Sequence, residues 1–228
     1  MSQRLQANEP PLLLLVHGWG LGPGVWHPLI RALSGYPCHT LDLGFFGPAR
    51  LTVPAQRPLL AVGHSLGFLW LLHQLPQAPW RESCLGLVSI AGFSRFSRGD
   101  HFPAGVPPRL LTRMAQQLPV NATAVLKAFC QQGGYASCPT QTVPDPDPLL
   151  VGLDWLQHWD GRAALAAWGG PVCALAAEDD QIVAPDLTRA CFATGDIQWL
   201  PDGGHLLPLT KPLLCAGHVR HCIERLAA

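Results

Sequence analysis

Two kinds of apolar run alternate along the chain. Short unbroken runs ending in Gly, Pro or Asp occur at 12–16 (LLLLV), 38–43 (CHTLDL), 58–62 (PLLAV), 84–91 (CLGLVSIA), 171–177 (PVCALAA) and 196–200 (DIQWL). Their lack of polar alternation predicts strands buried on both faces, as in a parallel sheet. Longer stretches at 25–34, 66–75 and 211–228 carry apolar positions at helical spacing. Strands alternating with helices predict crossover connections and a doubly wound, mostly parallel α/β sheet of about six strands. No internal repeat interrupts the pattern.

The alternation fails between 93 and 170. Helical patterns at 107–118 and 121–132, a Pro-rich stretch at 138–150 and a further helical pattern at 151–168 replace the strands. An insertion this long between two sheet strands predicts a cap over an active site. The expected organisation is therefore a sheet core 1–92, a helical cap 93–168 and the rest of the core 169–228.

Composition narrows the class. The chain of 228 residues is 48% hydrophobic and only 13% charged, which excludes disorder and coiled coils. Basic and acidic residues tie at 15 each, so no overall charge favours nucleic acid. The N-terminus is polar and the first apolar run is too short for a signal or membrane segment. The eight cysteines include no CxxC pair and read as small buried residues of a reducing, cytoplasmic compartment. The sequon at Asn121 is then chance, and no membrane association is expected.

Residues 63–67, Gly-His-Ser-Leu-Gly, lie between an expected strand and an expected helix. A serine at such a turn reads as a nucleophile, Ser65, with Gly63 and Gly67 clearing backbone space. Two later loops follow expected strands: 178–185 (EDDQIVAP) and 201–208 (PDGGHLLP). They offer His205 as base and Asp179 or Asp180 as its orienting acid, on the rim that carries Ser65. Backbone N–H groups of Leu66 and of Trp19, in the loop 17–22 (HGWGLG), suit an oxyanion hole. That glycine loop lacks the lysine of a phosphate-binding loop. His17 and His64 read as structural parts of their motifs. His218, His221 and Cys222 have helical spacing that fits a surface helix face better than metal ligands. Neither metal nor organic cofactor is expected.

Together, "LLLLVHGWG", "GHSLG", "EDDQIVAP" and "DGGHLLP" resemble the α/β-hydrolase superfamily, and "AEDDQIV" matches its pattern for the acid at Asp180 rather than Asp179. The segments "HGWGLGPGVWHPLIRALS", "FSRGDHFPAGVPPRLLTRMAQQL" and "GLDWLQHWDGRAAL" more closely resemble the pimeloyl-[acyl-carrier-protein] methyl ester carboxylesterases of biotin synthesis, over about residues 12–226. That likeness implies a serine esterase acting on an ester carried by an acidic acyl carrier protein. Arg95, Arg98, Arg109, Arg113 and Lys127, against Asp100 alone within 93–130, are then a docking surface. Phe96, Phe102, Leu110 and Leu111 suit an acyl pocket. Phe68 stands where the family usually has a second glycine and is expected to line that pocket. The connection between 43 and 58 is too short for the usual crossover helix, and "DLGFFG" replaces the usual "DLPGFG". The competing readings are a general carboxylesterase or C–C hydrolase with the same triad, and a non-catalytic binding module.

Overall fold

The computed structural model describes residues 10–54, 57–135, 144–193 and 196–227. The N-terminal nonapeptide and residues 138–143 of the Pro-rich stretch thus lie outside the described residues. Six parallel strands form one sheet: β1 Leu12–Val16, β2 Cys38–Leu41, β3 Leu59–His64, β4 Cys84–Ile90, β5 Val172–Ala177 and β6 Ile197–Leu200, in the order β2-β1-β3-β4-β5-β6. The chain starts at β1, runs out to β2, then crosses back to β3. This reversal puts the loops after β1 and β3 on either side of a crevice at the strands' carboxyl ends, where open α/β sheets bind ligands.

The period-two side-chain alternation of each strand separates two apolar layers. Leu13, Leu15, Leu60 and Val62 face one way; Leu12, Leu14, Val16, Leu59 and Ala61 face the other. The first layer is covered by α1 His27–Ala32, which follows a 3-10 turn Pro23–Trp26, and by the C-terminal helix. The second is covered by α2 Leu66–Gln74, in which every residue from Leu66 to Leu72 is buried. A helix that is apolar all round needs cover on both sides. No helix occurs between β2 and β3 among the described residues, in line with the short connection.

Between β4 and β5 the described residues make helices and no strand of the sheet. Helix α3, Pro108–Gln132, joins the two helical patterns expected from the sequence, but it kinks at Asn121 (φ −159°, ψ 81°). Pro119 has no N–H to donate and crowds the preceding turn. Asn121 Oδ1 then accepts from Ala124 N at 2.9 Å and recaps the second half. Helix α4, Pro146–His158, begins with Asp145 Oδ1 accepting from Asp147 N, and α5 is Arg162–Ala166. The single helical pattern at 151–168 is thus cut at Trp159–Gly161. After β5 come α6 Pro185–Cys191, which the apolar pattern did not announce, then α7 Leu207–Thr210 and α8 Pro212–Ala227.

On α8 the expected surface face is corrected. His218 and Cys222 are 5% and 2% exposed, and only His221 is exposed. His218 Nδ1–H donates to Gln198 Oε1 at 2.8 Å, and burial pushes its pKa down to about 4. Among the described residues no group of three His, Cys, Asp or Glu side chains is placed to hold a metal ion. No helix there is long and apolar enough to cross a membrane. No disulfide joins the seven described cysteines, and Cys138 lies outside them.

Candidate active site

Ser65 occupies the turn between β3 and α2 with φ 54° and ψ −125°, a conformation that L-residues rarely adopt. Its N–H donates to Ile90 O at 3.1 Å, tying the turn to β4. The flanking glycines are obligatory. A Cβ on Gly63 would sit 2.4 Å from Phe68 Cα, and one on Gly67 would sit 2.1 Å from the Val16 carbonyl oxygen. Leu66 is the first residue of α2, so its N–H is one of the helix-start donors without an intrahelical acceptor. Across the crevice, a Cβ on Gly18 would meet Ser65 Cβ at 3.0 Å. Only glycine lets the loop carrying Trp19 come this close to the serine.

His205 and Asp180 reach Ser65 from the loops after β6 and β5. The His205 Nδ1–H donates to Asp180 Oδ2 at 2.8 Å. That leaves Nε2 to accept the Ser65 hydroxyl, 2.8 Å away. Asp180 Oδ1 accepts from the N–H groups of Ile182 at 2.8 Å and Val183 at 2.9 Å, which fix the carboxylate's orientation. Ser65, Asp180 and His205 are 4%, 5% and 0% exposed. Asp179 points elsewhere: its two oxygens accept from Gly203 N at 3.2 Å and Gly204 N at 2.9 Å. The neighbouring carboxylates thus divide the work, Asp180 holding the ring and Asp179 the glycines that lead into it.

A cavity of about 540 Å³ lies between the sheet edge and α3. Phe96, Leu110 and Leu111 line it together with Arg98 and Arg113, and its wall also includes Trp19 and Phe129. Ser65 is not on that wall. Phe129 stands between, its ring centroid 5.0 Å from Trp19 and 6.1 Å from His205, both edge-on. The sequence reading missed Phe129, Gln132 and Gly133 as site residues. The signal was present as a helical stripe of lining residues at 125, 129 and 132. Gln132 Nε2 donates to Gln181 O at 3.1 Å, and Gly133 O accepts from His205 N at 3.0 Å.

Three expected site residues lie elsewhere. Phe68, on α2, is wholly buried against Phe192, with ring centroids 5.6 Å apart, and does not line the cavity. Its bulk is accommodated by Gly92, where a Cβ would come within 2.7 Å of Phe68 Cβ. Phe102 lies between Arg95 and Arg162, whose guanidinium carbons stand 6.0 and 5.2 Å from its ring centre. Arg95 donates to Asp160 Oδ2 at 2.6 Å and to Ser97 O, so it is held within the helical segment. Arg98, Arg109, Arg113 and Lys127 are exposed.

The fold is that of the α/β-hydrolases. An esterase from Exiguobacterium antarcticum matches with a TM-score of 0.81 at 13% identity, over 95% of this chain and 92% of that one. A bromoperoxidase from Bacillus anthracis matches at 0.80 and 15%, over the same shares. No family model matches the chain. Among curated proteins, pimeloyl-[acyl-carrier protein] methyl ester esterases match over nearly the whole length. Those of Xylella fastidiosa (strain M23) and Stenotrophomonas maltophilia (strain K279a) are 31% and 30% identical over 95% of this chain and 96% and 94% of theirs. The chain belongs to this family of carboxylic ester hydrolases.

Proposed function

We propose that this chain hydrolyses the methyl ester of a pimeloyl group carried on acyl carrier protein, with Ser65 as nucleophile. The observation that carries the reading is the buried chain of two 2.8 Å hydrogen bonds, Ser65 Oγ to His205 Nε2 and His205 Nδ1 to Asp180 Oδ2. His205 takes the hydroxyl proton as Ser65 Oγ attacks the ester carbonyl. Asp180 stabilises the resulting imidazolium. N–H groups of Leu66 and Trp19 receive the oxyanion, each such donor contributing about 3 kcal/mol. Collapse expels methoxide, which takes the proton from His205 and leaves as methanol. Water, deprotonated by His205, then attacks the acyl-enzyme; collapse releases the acid and returns the proton to Ser65. No step calls on a metal or organic cofactor.

The segment 93–168 serves as the cap in this reading. Phe96, Leu110 and Leu111 receive the acyl chain, and Phe129 must turn aside for the ester to reach Ser65. The exposed cations Arg98 and Arg113, which line the cavity, and Arg109 and Lys127, elsewhere on α3, meet the acidic carrier. A cavity of this size and apolar lining also suits other medium-chain esters, so a general carboxylesterase is the second reading. The test compares carrier-linked pimeloyl methyl ester with a chain-length series of p-nitrophenyl esters, using Ser65→Ala as control. A kcat/KM at least tenfold higher for the carrier-linked ester supports the first reading. Equal values leave the second.

A further inference from the structure

Side chains of β3 alternate, and Leu60 and Val62 face the layer formed by α1 and α8. By the same period His64 points into that layer, where its ring lies edge-on to Trp26 with centroids 6.3 Å apart. An apolar residue would continue the pattern, yet an imidazole sits there at 0% exposure. Its Nε2–H donates to the backbone carbonyl of His205 at 2.9 Å, and the two rings are 5.1 Å apart. Its Nδ1 has no hydrogen-bond partner among the described residues. One bond to His205 is therefore what offsets the burial of a polar ring. Space is also reserved for it, since a Cβ on Gly18 would come within 2.9 Å of His64 Nδ1.

We propose that His64 is a positioning residue for His205, holding the base through the carbonyl of its own peptide. The proposal rests on the reading of Ser65, His205 and Asp180 as a hydrolytic triad. The His205 backbone is gripped on both sides of its Cα, the N–H by Gly133 O at 3.0 Å and the C=O by His64. With the backbone fixed, the ring reaches Asp180 and Ser65 together. Burial lowers the His64 pKa to about 3, so the ring keeps its donor and stays neutral. A second cation beside His205 would oppose the imidazolium that forms during reaction.

The test is kcat and KM on a p-nitrophenyl ester for wild type, Ser65→Ala, His64→Phe, His64→Gln and His64→Asn. Phe keeps ring volume without a donor, Gln returns a donor at similar reach, and Asn falls one methylene short. Loss of grip on the base lowers kcat of His64→Phe by about 10–100-fold with KM within about twofold, and Gln regains most of it. The downfield proton of the His205–Asp180 hydrogen bond broadens in the Phe variant and sharpens again in the Gln variant, a recovery that a change of packing alone does not produce. Should His64→Phe fail to fold by circular dichroism, Gln must exceed Asn by about tenfold. Phe equal to wild type, Phe equal to or above Gln, or Gln equal to Asn overturns the proposal while Ser65→Ala remains inactive. Hydrolysis that survives in Ser65→Ala overturns the triad and the proposal with it.

Discussion

Asp180 and Asp160 are both carboxylates held by nitrogen donors, one at the sheet edge and one in the helical segment above. Asp180 is 5% exposed and divides its oxygens between one imidazole and two backbone N–H groups. Asp160 is about a third exposed and takes the guanidinium groups of Arg95 and Arg162, each at 2.6 Å. The first arrangement aims an imidazole at the serine, with Oδ2 committed to His205 and Oδ1 to two N–H groups of its own loop. The second ties the loop before α3 to the turn before α5 and leaves its cations facing water. The serine–imidazole–carboxylate chain is held by buried hydrogen bonds between loops at strand ends. The helical segment between β4 and β5 is held by partly solvated charge.

The contrast can be broken at its strong end first. Asp180→Asn presents an amide where the imidazole needs an acceptor, and kcat is expected to fall by about 10⁴-fold. Asp179→Asn, one residue away, is expected to cost about tenfold, because it loosens only the glycines before His205. Ester hydrolysis assays decide the pair, and equal losses would erase the division of labour. Next, Phe68→Ala is expected to lower stability by about 3–5 kcal/mol, the cost of a large buried cavity. Denaturant unfolding reads that loss, and an unchanged chain-length preference would place Phe68 with the core rather than the substrate.

Smaller effects test the cap. Charge reversal at Arg109 and Arg113 is expected to raise KM for the carrier-linked ester about tenfold, and several-fold more than for a p-nitrophenyl ester. The effect should shrink as salt is added. Smallest is Asp160→Asn. Hydrogen bonds from Arg162 foremost, joined by Arg95, hold the Asp160 pKa down at about 2, below the ordinary 3.8. A depressed carboxyl pKa means stability that is fully present above pH 3.8 and lost as the pH falls through about 2. Thermal melts across that window should lose about 1 kcal/mol in wild type, and the Asn variant should lack this component.

Much of the frame was legible in the chain. Apolar runs located all six strands to within two residues at each end; burial on both faces holds for the four inner strands, whereas the edge strands β2 and β6 are only half-buried. The order serine, acid, histidine named three side chains that the fold brings within 2.8 Å of one another in sequence. Residues whose position depends on distant partners were not legible. Phe68 reads as pocket because a family glycine is missing, but Gly92, from another strand's end, makes room for it in the core. Arg95 and Phe102 read as surface and pocket because Asp160 and Arg162, about sixty residues later, are invisible to local pattern. His218 and Cys222 looked exposed because their spacing fixes a helix face without saying what that face meets.

The hydrogen bond from His205 N to Gly133 O has a further consequence for anyone who would exchange the helical segment between β4 and β5 with that of another hydrolase. The seam cannot be cut at the ends of the insertion alone. A foreign helix would have to deliver a carbonyl oxygen to the same point and leave Gly204 its space, for a Cβ there would come within 2.7 Å of that oxygen. The helical segment and the histidine loop are therefore one unit of inheritance, and chimaeras that transplant one without the other should express folded protein with an unsettled His205 ring.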